Sequence, residues 1–283
     1  MAKVRVVTDS TADMDQREAE RLGIAMIPLN VHWNGETYQD KVEITIDEFY
    51  RKLREEKGVP RTSQPPIGRF EQLYRELLKE ADAIISLHIS SKASGTYNAA
   101  LTAAQGIAPD RIAVVDSRIL SYPLGALVLR VARLASEGGS LADCMALAES
   151  LIPRLRLFAA MDTLEFLRRG GRVSRFQAFA GSLLSIKPMV YLVDGEVLPL
   201  DRVRTRTAAV RRVADLMVAL GPLEDAAVLY GDDPAPAEQL IAILKDAMPG
   251  VPIHWGRTGA VIGTHTGPGV FGAYGLVRSR ATM

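Results

Sequence analysis

What most constrains this chain is the regular alternation, through its first half, of short apolar runs with helical repeats. Val4–Val7 reads as a strand, Asp13–Leu22 as a helix ending at Gly23, and Ile24–Leu29 as a second strand. Asn34-Gly35 is a two-residue hairpin signal, so Val31–Trp33 and Glu36–Tyr38 are expected to pair. Thr45-Ile46-Asp47-Glu48 has the form of a capping box and opens another helix. After a loop at Arg61–Gly68 come a helix (Phe70–Leu78), a strand (Ala83–Ile89), a helix (Thr96–Ala104) and a strand (Ile112–Val115). Helices near Leu124–Ala135 and Leu141–Ile152 follow. Strands separated by helices predict a parallel, doubly wound sheet, because a parallel pair needs a crossover connection.

The second half has a different rhythm. Leu155–Met161 is a strand and Leu164–Arg169 a short helix ending at Gly170-Gly171. Met189–Val193 and Glu196–Leu200 flank Asp194-Gly195 as a hairpin, and Thr207–Leu220 is a helix. Ala226–Tyr230 (strand) and Pro236–Ala247 (helix) precede three short strands around Ile253, Ile262 and Tyr274. The expected fold is therefore α/β with two domains: an N-terminal α/β/α unit with a parallel sheet (1–153) and a C-terminal α/β unit with a mixed sheet (154–283), divided near Pro153. At 283 residues and 48% hydrophobic, the chain can bury a core in each.

Composition narrows the function. A net charge of +1 gives no global pull toward nucleic acid. No apolar run approaches the ~18 residues of a membrane-spanning helix. The strand directly after Met-Ala-Lys leaves no room for a signal peptide, and the single Cys144 excludes an internal disulfide framework, so a cytoplasmic location is expected. Cys144 itself reads as a small buried hydrophobe. Charge is uneven: Arg154–Arg212 holds 12 Lys+Arg against 5 Asp+Glu, a local net of +7. That stretch is either a docking face for an acidic protein or anionic lipid, or a solvated face with scattered arginines.

Most catalytic signatures are absent. There is no Walker loop, no metal-type His/Cys spacing, no Gly-x-Ser-x-Gly elbow and no Ser-x-x-Lys pair. Gly267-Pro268-Gly269-Val270-Phe271-Gly272 matches G-x-G-x-x-G, but no acidic residue follows it, so it is no dinucleotide fingerprint. Three hydroxyl-rich turns stand out: Thr8-Asp9-Ser10-Thr11, Thr62-Ser63-Gln64-Pro65 and Ser90-Ser91-Lys92-Ala93-Ser94-Gly95-Thr96. The first and third follow strands, where open α/β sheets collect ligands. A helix starting at Thr96 would aim free N–H groups at an anion held by Ser94, and Gly95 would leave that approach open. Each turn also has an ordinary reading as a helix cap. Of four histidines, His265, between glycines in an expected loop, is the best ligand candidate, and His88, inside a strand, reads as structural.

Taken together, these motifs resemble the DegV family of bacterial fatty-acid-binding proteins. The resemblance runs nearly end to end. It covers the three turns, Val115-Asp116-Ser117, Thr163-Leu164-Glu165, Gly170-Gly171-Arg172-Val173-Ser174, Ile186-Lys187-Pro188, Arg204-Thr205-Arg206 and Gly263-Thr264-His265-Thr266-Gly267-Pro268-Gly269. Departures are Pro66, Lys92-Ala93 and Pro123, none of which removes a hydroxyl. The resemblance implies a long-chain fatty acid between two domains, its carboxylate held by Thr62 and Ser94 with His265 close by. It implies no cofactor beyond that ligand and no metal. It also implies a partner, a separate kinase related to dihydroxyacetone kinase, to which the acid is presented for acyl-phosphate formation in phospholipid synthesis. Arg172, Arg202 and Arg204 then become docking candidates, and transient contact with an anionic membrane is an expectation.

Burying about 14 methylenes at ~0.8 kcal/mol each gives roughly 11 kcal/mol of gross driving force, so the tail supplies affinity and the hydroxyls supply orientation. If His265 keeps an ordinary pKa near ~6.5, binding should respond to pH between roughly 5.5 and 7.5. A rival reading makes the chain a hydrolase of lipid esters or thioesters, with Ser94 or Thr62 as nucleophile and His265 as base, which also needs a third orienting group. Nucleic-acid binding through the arginine-rich stretch lacks interleaved aromatics.

Overall fold

A computed structural model of the protein describes residues 3–172 and 186–279. Its parallel sheet has the order β2-β1-β6-β7, from β1 (Val4–Asp9), β2 (Ala25–Ile27), β6 (Ala83–His88) and β7 (Ile112–Asp116). Both faces are covered, which is why β1 and β6 read as nearly continuous apolar runs. On one face Val7 and Ile84 meet Phe70 and Tyr74 of α3 (Ile67–Leu77) and the alanines of α4 (Thr96–Ile107). On the other, Val6, Ile85 and Leu87 meet α5 (Tyr122–Ser136) and α6 (Leu141–Leu151). Cys144 is fully buried here as a small hydrophobe.

The core does not stop at α5 and α6. It continues into Leu155 and Leu157 of β8 (Leu155–Ala160) and Tyr274 and Leu276 of β13 (Phe271–Val277). These belong to a six-stranded mixed sheet of order β10-β9-β8-β13-β11-β12, with β9 (Lys187–Val193), β10 (Glu196–Val203), β11 (Leu223–Tyr230) and β12 (Ile253–Arg257). Its far face is closed by α8 (Arg206–Ala219) and α9 (Ala235–Ala247) through Val210, Val213, Met217, Leu240 and Leu244. Two sheets thus share one helical layer, and the chain passes from one to the other through the turn Ile152–Arg154.

A smaller antiparallel sheet, β4-β3-β5, stands to the side, built from β3 (Asn30–Trp33), β4 (Glu36–Gln39) and β5 (Arg61–Ser63). Asn34 and Gly35 both have left-handed φ (51° and 87°), as their hairpin requires. Asp194 and Gly195 do the same between β9 and β10. Thr45 caps α2 (Ile46–Glu55) by accepting from the Glu48 N–H. α1 (Gln16–Arg21) and α7 (Glu165–Arg169) are short.

Two expectations need correction. Arg61–Ser63 is a strand, held by β3, and not loop. The segment around Ile262 is a helix, α10 (Ala260–Thr266), so His265 lies in a helical last turn. A short apolar run does not reveal its period. Here burial on every side decides it: Ala260 to Thr264 are all buried, and Gly263 lets the helix lie against Phe49 and Tyr50.

Candidate functional site

Between the carboxyl ends of the parallel strands and the inner face of the mixed sheet lies a cavity. Its walls are mainly apolar: Leu157, Val190, Leu192, Leu229, Ile262 and Phe271 are among them. Thr62, Ser94, Arg172 and His265 all border it. An apolar chamber with a few convergent polar groups is the usual form of a small-molecule site.

Thr62 and His265 are far apart in sequence but in contact in space. Strand pairing sets Thr62 opposite Val31, and its Oγ1 lies 2.8 Å from His265 Nε2. The other ring nitrogen, Nδ1, is buried without a hydrogen-bond partner among the described residues. A Cβ on Gly170 would come within 2.1 Å of it, so only glycine lets the end of α7 close over the ring. An unmatched buried N–H costs more than an unused lone pair, which puts the proton on Nε2 and makes Thr62 the acceptor. The Thr62 hydroxyl hydrogen is then left to point elsewhere. Burial, reinforced by the Arg172 guanidinium, pushes the His265 pKa down to about 4. The expected titration between pH 5.5 and 7.5 is thereby overturned, because the imidazole is neutral throughout that range.

Ser94 is arranged in the same sense. Its Oγ accepts from the Thr96 backbone N–H (3.3 Å) and lies 2.8 Å from the buried Thr96 hydroxyl. α4 does start at Thr96. A Cβ on Gly95 would come within 1.9 Å of Gln64 Oε1, so the glycine lies where the 62–65 and 90–96 turns meet.

Arg172 is exposed at the margin of the cavity, its Nη1 donating to the Gly170 carbonyl (2.6 Å) and its Nε and Nη2 to the Ala93 carbonyl (3.4 and 3.5 Å). It also borders an adjoining polar recess with Ser91, Lys92 and Gly195. Arg202 and Arg204 are exposed on and after β10, away from the cavity wall. Much of the basic stretch is neutralised internally. Arg168 and Arg169 pair with Glu165, Lys187 with Asp162, Arg206 with Asp162 and Asp233, and Arg154 with Glu224. Val173, Ser174 and Arg175 lie outside the described residues.

The Thr8–Thr11 turn does not reach the cavity; it is buried as a structural joint. Asp9 accepts from His88 Nδ1 and the Ile89 N–H (both 3.0 Å), and from the Thr11 N–H (3.0 Å) and hydroxyl (2.5 Å). His88 Nε2 meets Ser86 (2.7 Å), which takes a bond from the Tyr74 hydroxyl. Burial opposes ionisation of Asp9, but the bonds from His88, Thr11 and Ile89 outweigh it and hold the carboxyl below its ordinary range. His88 is structural, as expected. The stretch from Gly267 runs into β13 at Phe271, a strand and not a helix, in keeping with an accidental G-x-G-x-x-G.

Sequence reasoning missed Ser121, Thr258 and Thr266, which also border the cavity. Ser121 has a left-handed φ of 61°, a conformation no sequence signal announced.

Known proteins extend the description. The DegV family model, described as an uncharacterised protein of that family, matches residues 3–276. A DegV domain-containing protein of Caldanaerobacter subterraneus is 35% identical over 277 residues, spanning 97% of this chain and 99% of the relative. Among solved structures, the fatty acid binding DegV family protein of Thermus thermophilus superimposes with a TM-score of 0.89 at 38% identity, over 98% of this chain and 100% of that one. DegV of Bacillus subtilis, a fatty acid binding protein, gives 0.87 at 36% identity over the same shares.

Proposed function

Since the chain belongs to the DegV family, we propose that it binds one long-chain fatty acid, its tail in the apolar cavity and its carboxylate at Thr62 and Ser94. The observation that carries this reading is a mainly apolar cavity whose wall includes two hydroxyls, those of Thr62 and Ser94, with Ser94 already accepting from the Thr96 N–H. A carboxylate is an acceptor only, so it needs donors. Thr62, accepting from His265, and Ser94, accepting from the Thr96 N–H and taken to accept from the Thr96 hydroxyl as well, each keep an O–H to give. The neutral imidazole thus orients a hydroxyl and does not neutralise the ligand's charge. Arg172 stands close enough to lower the His265 pKa, and it supplies positive potential at the margin without a bond into the site. The structural neighbours' binding of fatty acids supports the same ligand class. Native mass spectrometry of the purified chain, then of its organic extract, tests this: about one fatty acid per chain is expected, and a protein that neither carries nor takes up any fatty acid sinks the reading.

The carboxylate would lie beside the polar recess at Arg172, and from there it is presented to a separate acyl-phosphate-forming kinase. The exposed Arg172, Arg202 and Arg204 are the candidate docking residues, and location in the cytoplasm goes with such a partner.

One observation favours the hydrolase reading: Thr62 and His265 form a hydroxyl–imidazole pair at 2.8 Å. Two others weigh against it. Among the described residues nothing orients Nδ1, and a pKa of about 4 makes a weak base at neutral pH. Turnover of an acyl ester or thioester that is lost in Thr62→Val would reverse this ranking.

A further inference from the structure

β8 and β9 pair only across Phe158–Ala160 and Met189–Tyr191, although β8 begins at Leu155 and β9 runs on to Val193. Where the ladder stops, Leu157, Tyr191 and Leu192 stand between two spaces. On one side they line the cavity; on the other they line a surface groove that continues past Ile119, Met145 and Ile152. Leu157 and Leu192 each border both spaces and keep 8% and 6% exposure. None of Thr62, Ser94 and His265 borders the groove. Its floor continues the apolar part of the site, and Asp116, Arg118, Glu149, Arg156 and Asp194 are also part of its lining.

Resting on the fatty-acid reading, we propose that this groove is a second acyl subsite, reached where the β8–β9 ladder opens, and that Leu157 and Leu192 are the partition that sets the longest chain the protein accepts. Each methylene passed through would leave water for the apolar floor formed by Ile119, Met145 and Ile152. With both leucines in place, a chain longer than the cavity must leave its end unaccommodated, and the shorter acid wins.

The test is a competition between hexadecanoic and docosanoic acid for the delipidated full-length chain, read by native mass spectrometry. Wild type is expected to favour hexadecanoic acid. Leu192→Ala and Leu157→Ala should each raise the docosanoic-to-hexadecanoic ratio about tenfold, the equivalent of one power of ten in relative Kd. Met145→Trp, which fills the groove from the α6 side, should leave wild-type uptake of hexadecanoic acid unchanged and cancel the gain when combined with Leu192→Ala. Leu192→Val, a smaller truncation, replaces any alanine variant that no longer holds hexadecanoic acid. No rise in any opened variant, or a rise that survives Met145→Trp, overturns the partition. Failure of wild type to take up hexadecanoic acid overturns the fatty-acid reading itself.

Discussion

At the scale of single residues, the proposed head-group site rests on two hydroxyls, Thr62 and Ser94, that each have a neighbouring hydrogen-bond partner. His265 shows why geometry matters more than residue type: buried beneath Gly170, with a pKa of about 4, it serves as a neutral donor to Thr62. Fatty-acid affinity should therefore stay flat from pH 5.5 to 7.5 when titrated by a fluorescent-acid displacement assay, and a sigmoidal change centred near 6.5 would contradict the assignment. Stability should behave differently. The folded-state pKa is below the unfolded value of ~6.5, so an unfolded chain takes up a proton that the folded one refuses as pH falls from about 6.5 toward 4. That loss should shrink in His265→Asn, measured by urea unfolding at pH 7 and pH 5. If Thr62 and Ser94 hold the carboxylate as proposed, Thr62→Val or Ser94→Ala should weaken binding by about 1.5–3 kcal/mol, the range for hydrogen bonds to charged groups. An affinity unchanged in both variants would remove them from the head-group site.

At the scale of elements, buried acids join strands to one another. Asp9 links the end of β1 to the start of the serine-rich turn after β6, through His88 and the Ile89 N–H. Its depressed pKa contributes stability that is present above the unfolded value of ~3.9 and lost as pH falls through the folded one. Asp40, 1% exposed at the end of the β4 hairpin, has the opposite sign. Its oxygens approach the Ser10 hydroxyl and the Ala260 amide without completing a hydrogen bond, and burial pushes its pKa up to about 6 despite Lys41 next to it. The folded state therefore loses stability as pH rises from about 3.9 to 6. Asp40→Asn should raise stability at pH 7.5 by up to about 3 kcal/mol and leave it nearly unchanged at pH 4. Equal effects at both pH values in chemical denaturation would show that the acid is not protonated when buried.

At the scale of the whole molecule, one cavity is walled by both halves of the chain, so an acyl chain bound there as proposed would tie the two sheets together. Stripping the ligand should lower the melting temperature, because a ligand held at a hundred times its Kd contributes about 2.7 kcal/mol. Calorimetry before and after delipidation checks this. Docking is separable from binding if the exposed arginines serve a partner. Arg204→Glu should reduce acyl-phosphate formation with a cognate kinase while leaving fatty-acid uptake intact, and parallel loss of both would assign Arg204 a structural role. No helix among the described residues is long and apolar enough to cross a membrane.

What the linear order of residues determined by itself was much of the local structure. Strand–helix alternation, the Asn34-Gly35 and Asp194-Gly195 turns and the Thr45 cap are short-range physics, and all appear in the fold. Tertiary structure decided the rest. It turned the Ile262 segment into a helix, put the Thr8–Thr11 turn inside the core and not beside the cavity, and paired many of the arginines that had looked like a charged face. It also moved the His265 pKa from near 6.5 to about 4. Desolvation and strand register depend on which distant segments close over a residue, and no local pattern of side chains encodes that enclosure.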